Sequence, residues 1–520
     1  MSIQFGDMCS LLLREHFGKT AEAIHKELRW GPKTFKLIVS GCKLPPSLVK
    51  RALSVLIQYN FVRFEPGRIP TVAEYILLPE NIVLLLRFPR YLTIINEKYG
   101  APSKLIVETI LKNGNSTASK TIVSVWKQLQ TGILENYKDG VTGVRDAFRV
   151  LVNKQYLSAL KIPAQDEKNE RVPQISQDES EIARMPEIDA SILNKMEAGE
   201  PVAAPDADIY WKCNVDRFHQ DMRDSIMVEA IRSRIDGHAA FFMEVLLKKM
   251  YLRTEGWATQ SNPVPILEIK EETEHRNPHL TQYLDQYIKI MDEDSCNFIR
   301  RSGEGTSGSV FINFDKAFQS LASATIESIV EHRFGPKAAR IFRLVRFKKY
   351  IDQDQLQKLA MIPDKEAKQL TYKLIQGSFL HMHELKKSST AGPSKNFYLL
   401  HVDFNQVVHV VLDMCYKAIY NTLSRTEHET MENMRLIEKF DKLNTIASNM
   451  KAQGEDPEYI AQLLEEWITP PERTLLSTVE VMIEKLRLAE LYMEETILVL
   501  NLYSFYASAS MKEKLKKREK

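Results

Sequence analysis

The feature that most constrains this chain is an order of elements that recurs four times along it, while the residues themselves do not recur. Each copy offers helical segments, the last carrying an apolar stripe, followed by two short β-prone runs around a turn. In the first copy, helices are expected near 7–17 and 20–29, and a third opens at "PPSLVKRALSVLIQYN". Pro45 and Pro46 halt what precedes it, and Ser47 is placed to cap it. Val49, Ala52, Leu53 and Leu56 then share one helical face, leaving Lys50, Arg51, Ser54 and Gln58 outside. "FVRFEPGRIPTVAEYILL" follows, its two β-prone runs split by Pro66 and Gly67 into a hairpin.

The second copy runs from "SKLIVETILKNG" through "TIVSVWKQL" to "GVRDAFRVLVNKQYLSAL". The third is less regular, with helices near 215–236, 238–251 and 279–291 and a hairpin in "CNFIRRSGEGTSGSVFINF". The fourth has helices near 316–333, 336–347 and 353–360, then "PDKEAKQLTYKLIQ" and strands at "FLHMHEL" and "NFYLLHV". Three helices with a hairpin, in units of roughly 70 to 80 residues, make a winged helix, the hairpin-bearing relative of the helix-turn-helix. From about residue 404 the pattern changes to two long striped helices. Val407, Val411, Met414, Ala418, Leu436, Ile437, Phe440 and Leu443 mark the first; Leu476, Val479, Ile483, Leu486, Met493, Ile497 and Leu500 mark the second. Gly454, Pro457, Pro470 and Pro471 interrupt them, so the simplest construction is an antiparallel helical hairpin.

The expected class is therefore mainly α with small β-hairpin wings: four extended winged helices and a C-terminal antiparallel coiled coil. The boundaries fall at 1–78, 79–160, 208–314 and 315–403 for the winged helices, 404–510 for the coiled coil and 511–520 for a basic tail. Residues 161–207 are expected to be an acidic disordered linker. Its surroundings (165–208) hold twelve acids against four bases, whereas the whole chain has a net charge of +2, so the remainder is basic. A basic body around an acidic segment points to a polyanionic partner. Five cysteines stand singly, with no Cys-x-x-Cys spacing, as expected of reduced core thiols in the cytosol or nucleus. The N-terminal apolar run is short for a signal peptide, and no run approaches the ~18 apolar residues of a membrane span, so no membrane is expected.

No motif offers chemistry. "RSGEGTSGSVF" has the glycines of a phosphate loop but neither the Gly-Lys-Ser/Thr ending nor a following helix, so a wing turn is expected. His381 and His383 share a strand face and His401 could lie opposite. With no Cys, Asp or Glu at ligand spacing, a half-exposed strand is preferred to a metal site. No Ser or Cys stands beside a His with an orienting acid, so no catalytic residue, cofactor or metal is expected. The block "ARIFRLVRFKKYIDQDQLQKLAMIPDKEAKQLTYKL", 339–374, is different. Ala338, Ile341, Phe342 and Val345 fall on one side of a helix and Arg340, Arg343 and Arg346 on the other, with Lys348 and Lys349 beyond. A solvated face normally mixes signs; this one does not, which favours a contact surface for phosphate or an acidic protein. In the following helix, Lys365, Gln369, Tyr372 and Gln376 point away from Ala367, Leu370 and Leu374. Arg87 and Arg90 interleave with Phe88 and Tyr91, an arrangement that stacks on unpaired bases or buries the rings while the arginines snorkel.

These segments in this order resemble the large tandem winged-helix subunit specific to RNA polymerase III. The likeness is carried by "CSLLLREHFG" at 9–18, "VKRALSVLIQYNFV" at 49–62, "RFPRY" at 87–91, "LIVETILKNG" at 105–114 and "FYL" at 397–399. "ARIFRLVRFKKYIDQDQLQKLAMIPDKEAK" at 339–368, "ENMRLIEK" at 432–439 and "PPERTLL" at 470–476 extend it over nearly the whole chain. The resemblance implies a non-catalytic nuclear subunit, the largest of an initiation heterotrimer and similar in role to the large subunit of TFIIE. It implies partners as well: a smaller winged-helix subunit, an acidic-tailed subunit, the clamp of the largest subunit, the initiation factor TFIIIB, and promoter DNA, single- or double-stranded, which it helps to open. A rival reading compares "LAMIPDKEAKQLTYKLI" with the winged helix that ends scaffold subunits of the proteasome lid.

Overall fold

A glycine joint opens three of the four modules. Gly18, Gly100 and Gly335 have φ of 83°, 81° and 91° with ψ close to 180°, a region open essentially to glycine alone. Each N–H donates to the carbonyl four residues back, closing a leading helix (Ile3–Phe17, Phe88–Tyr99 or Phe314–Phe334), and the chain turns into the next helix (Lys19–Leu28, Ala101–Asn113 or Pro336–Lys348). The third module joins Val215–Arg234 to Gly237–Met250 differently. There Asp236 is extended, and its carboxylate accepts hydrogen bonds from the Ala239 N–H and the Tyr287 hydroxyl, each at 2.7 Å.

The computed structural model describes residues 2–67, 69, 71–131, 140–161, 186–197, 205, 206, 208–303, 308–385, 397–452 and 467–519. After the joint, modules one, three and four share a plan: a short edge strand, two helices, then two wing strands, with the edge strand paired to the last strand. The antiparallel sheets are ordered Lys33–Thr34, Ala73–Leu77, Val62–Pro66; then Val264–Pro265, Ser309–Ile312, Ile299–Ser302; then Ile351–Asp352, Phe397–His401, His381–Leu385. In module two, Leu157–Lys161 pairs with Ile209–Cys213, and a single bridge from Ser116 to Trp211 replaces the edge strand. The expected stripes are core: Val49, Leu53, Ala338, Ile341, Phe342 and Val345 are all buried. Module three also holds a helix that the charged run "ILEIKEETEHR" concealed, Ile266–Arg276, seated through Ile266, Ile269 and Thr273.

The pairing of Leu157–Lys161 with Ile209–Cys213 corrects the place of the acidic segment: it lies between the two wing strands of module two, which ends at Cys213 rather than at 160. Its described parts are ordered. Ala190–Glu197 is a helix, with Ile188 and Leu193 buried nearby. Asp206 is fully buried and accepts from the Ser119 N–H at 2.7 Å and the Ser119 hydroxyl at 2.6 Å, capping the helix Ala118–Thr131. Averaged composition hides two apolar anchors and one capping acid. Residues 162–185, 198–204 and 207 lie outside the described residues, as does 304–307 in the glycine-rich wing tip.

The chain divides into two compact units, 1–218 with 416–494, and 219–415 with 495–520. In the first, Tyr91 stacks on Phe218 at 4.6 Å and Tyr156 meets Phe218 edge-on. In the second, a buried guanidinium organises the core. Arg223 donates to Tyr251, Tyr506 and Asp224 and to the Gly256 carbonyl, and lies 4.3 Å over the Phe314 ring. Beyond the modules run helices Phe404–Glu432, Met434–Ala452 and Pro470–Glu519. The first arm is broken at Asn433, whose carbonyl accepts from both Leu436 and Ile437. Glu472 accepts from Lys439 at 3.0 Å and from the Thr469 N–H, tying the arms together and capping the second. The last helix runs on to Glu519, through what read as a basic tail. Among the described residues, no helix is long and apolar enough to cross a membrane.

Candidate nucleic-acid interface

The arginine stripe of module four is real in geometry and only partly compensated in charge. Arg343 Nε donates to Glu327 Oε2 at 2.9 Å and Arg346 Nη1 to Glu327 Oε1 at 3.3 Å, so one carboxylate from the leading helix serves two of the three arginines. Arg346 is half-buried and lies 5.0 Å over the Phe404 ring. Arg340 is exposed and reaches the Ala360 carbonyl at 3.2 Å. The single-sign face is thereby corrected: Glu327 is one helix away in sequence and on the same surface in space. Lys348, Lys349 and Lys365 stand exposed, and so does Tyr372. Around them Phe347 and Tyr350 are also exposed, at 79% and 58%. In the last helix of the module Ala367 and Leu374 are buried as expected, while Thr371 takes the deep position assigned to Leu370.

Arg87 and Arg90 are not available to a nucleic acid. Arg87 is buried and its Nε donates to Glu494, which has no exposed surface at all. Arg90 Nη2 donates to the Leu491 carbonyl at 2.8 Å, and its Nε lies 3.7 Å from the same carboxylate. Tyr91 is buried beside them, and burial pushes its hydroxyl pKa well above the usual phenol value. The packing reading of "RFPRY" holds; the base-stacking reading is set aside. The acid that decides it stands some four hundred residues downstream, where no local pattern can reveal it.

Lys50 and Arg51, expected in a DNA- or clamp-binding set, belong to a helix-turn-helix in module one whose first helix, with Lys36 and Lys43 beside it, the sequence did not announce. Phe35–Cys42 and Pro46–Gln58 are its two helices, joined across Lys43, which sits at φ 53° as the C-cap. Between Leu28 and Phe64 there is no acid, but there are Arg29, Lys33, Lys36, Lys43, Lys50, Arg51 and Arg63. Three of these are paired: Arg29 with Asp7 at 2.6 Å, Lys33 with Glu27 at 2.7 Å and Arg63 with Glu65. Lys36, Lys43, Lys50 and Arg51 are exposed, and none has an ion pair among the described residues. Lys50 and Arg51 share the outward face of the second helix with Ser47, Ser54 and Gln58, as the periodicity predicted. Trp30, 80% exposed, lies at the edge of this surface under the Arg29 guanidinium. Counting acids, rather than cations, would have found it. An outward helix face with cations and no acid nearby has the composition that phosphate contacts along a groove require.

Known proteins share this plan. Four family models match: RNA polymerase III subunit RPC82 helix-turn-helix domain over 7–66, RNA polymerase III subunit RPC82 over 146–321, POLR3C C-terminal winged-helix domain over 326–402, and DNA-directed RNA polymerase III subunit RPC3 helical hairpin domain over 435–499. The DNA-directed RNA polymerase III subunit RPC3 of Mus musculus is 34% identical over 526 residues, covering 95% of this chain and 97% of that protein. The subunits of the same name from Homo sapiens and Danio rerio are 34% and 31% identical, over 95% and 98% of this chain and 97% and 100% of their own lengths. The proteasome-lid alternative finds no support among them.

Proposed function

The chain belongs to the RPC3 family of DNA-directed RNA polymerase III subunits, and on that premise we propose that it serves initiation by holding DNA with its first module and the polymerase with its fourth. It is a subunit of the RNA polymerase III complex, accessory rather than catalytic, and part of the nuclear transcription machinery. The observation that carries the proposal is the acid-free helix-turn-helix with Lys36, Lys43, Lys50 and Arg51 unpaired. Duplex DNA presents a phosphate charge about every 1.7 Å of its axis, and each cation that meets one releases a counterion. Module four suits a protein instead. With Glu327 pairing Arg343 and Arg346 and offsetting one of their two charges, its surface combines Lys348, Lys349 and Lys365 with exposed Phe347, Tyr350 and Tyr372. Cations around aromatic anchors are the composition of an interface with an acidic partner, here the clamp of the largest subunit. The smaller winged-helix subunit, the acidic-tailed subunit and TFIIIB complete the proposed partners, in the nucleus, at promoters of tRNA, 5S rRNA and other small RNA genes.

Two glutamine sets test the division of labour. Lys36, Lys43, Lys50 and Arg51→Gln should co-purify with the polymerase yet open promoters poorly, increasingly so at raised salt. The slope of log affinity against log salt should fall by up to about 0.9 for each lost contact. Arg340, Lys348, Lys349 and Lys365→Gln should weaken co-purification itself. If the first set impaired assembly and left the salt slope untouched, the assignment would be reversed.

A further inference from the structure

The wing of module four gathers three imidazoles that the initiation reading does not use. His381 and His401 are direct partners in the ladder, and His383 lies two residues along the same strand. Leu400 and Ile351 pair across the same sheet and are both buried, which fixes the core side. Alternation then puts His381, His383 and His401 together on the other face. The His381 and His401 ring centres are 5.7 Å apart and those of His383 and His401 6.3 Å, with the Tyr350 ring packed on His401 at 5.5 Å. His381 Nε2 and His401 Nδ1 are shut off from solvent and have no hydrogen-bond partner among the described residues. Orphaned shielded nitrogens on adjacent rings call for an explanation.

We propose that His381, His383 and His401 form a three-imidazole site for a divalent ion of the zinc class, with water in the fourth position. An imidazole nitrogen binds such an ion at about 2.0–2.1 Å, so two rings at the tetrahedral angle on one ion stand about 5.2 Å apart, centre to centre. The separations of 5.7 and 6.3 Å exceed it by about 0.5 and 1.1 Å, so the rings must close on the ion. As the rings stand, their nitrogens are not gathered within 4.8 Å of one another, so binding swings the side chains about χ1 to bring the rings closer and turns them about χ2, a broad torsion, to aim their nitrogens. His383 is exposed and gives the ion a way in. Neutral imidazole is the ligand form.

His428, Glu429 and Glu432 are the competing cluster, three donors on one helix with Glu429 already paired to Arg425. The test is equilibrium dialysis of the chelator-stripped full chain against Zn²⁺, with Co²⁺ as a coloured probe of coordination. Saturable binding that is lost in His383→Gln and kept in His428→Gln, both melting like the parent, is the expected result. An absence of saturable binding, survival of binding in His383→Gln, or its loss in His428→Gln would each overturn the site.

Discussion

Replacing Glu494 by alanine should be among the most damaging single changes in the first unit. The carboxylate has no exposed surface and receives Arg87, itself only 6% exposed, while Arg90 lies nearby. Two charges have been withdrawn from water and compensate each other; alanine removes one and strands the other. Breaking such a pair costs about 3–5 kcal/mol. The Leu491 carbonyl still accepts from Arg90, which argues for the lower end. At about 2–4 °C per kcal/mol for a body of this size, about 3 kcal/mol moves the transition by roughly 6–12 °C. Scanning calorimetry of the full chain reads the shift, and hydrogen exchange of the helix Phe88–Tyr99 places it. The double change Arg87→Met with Glu494→Leu should recover most of the loss, since apolar replacement of a buried pair is often neutral or better. Arg87→Met should also leave the salt slope for DNA unchanged. A loss under about 1 kcal/mol for Glu494→Ala, or a drop in salt slope for Arg87→Met, would refute the buried-pair account.

Other consequences follow from single contacts. Glu327→Gln unpairs Arg343 and Arg346, so the chain should bind heparin more tightly, with a salt slope steeper by about one to two contacts; unchanged elution would mean that Glu327 does not mask them. His25 is buried against the Ser10 hydroxyl, and burial, then Arg29, lower its pKa to about 4. Between about pH 6.5 and 4 the unfolded chain binds a proton that the folded chain refuses. Up to about 3 kcal/mol of stability, fully present above pH 6.5, should drain away as the pH falls through that window, and His25→Asn should flatten the pH profile of melting. Ile497 is fully buried, so Ile497→Asp should cost several kcal/mol, on the order of a buried charge defect; a normal melt would contradict its place in the core.

Much of the fold was legible because its cause is local. A stripe at helical spacing, as in Val49, Leu53 and Leu56, buries the same way whatever lies across from it, and proline and glycine mark the turns. Strand alternation put His381 and His383 on one face and allowed His401 opposite, and the ladder sets His401 against His381. What failed was anything decided by a distant partner. Arg343 and Arg346 look like a free cationic stripe until Glu327 arrives from the preceding helix. Arg87 looks like a base-stacking cation until Glu494 buries it. The acidic segment seemed to separate domains because nothing near Leu157–Lys161 announces that its strand partner waits beyond it at Ile209–Cys213. Periodicity reports which way a side chain points; it does not report what meets it there.

The glycine joints are the places in this chain where the backbone angle alone, and no contact, decides which residue can stand. A Cβ added at Gly18 or Gly335 would meet no atom within 4 Å, so neither position is kept by packing. The penalty for any other residue is entirely torsional, about 1–3 kcal/mol for a backbone held in that region. A core isoleucine exchanged for valine costs about 0.5–1.5 kcal/mol and lets its neighbours relax. A torsion offers no such gradual path. Module three departs through Asp236, which abandons the positive φ altogether and substitutes a carboxylate with two donors. Modules with unrelated sequences can thus share an angle where they share no side chain.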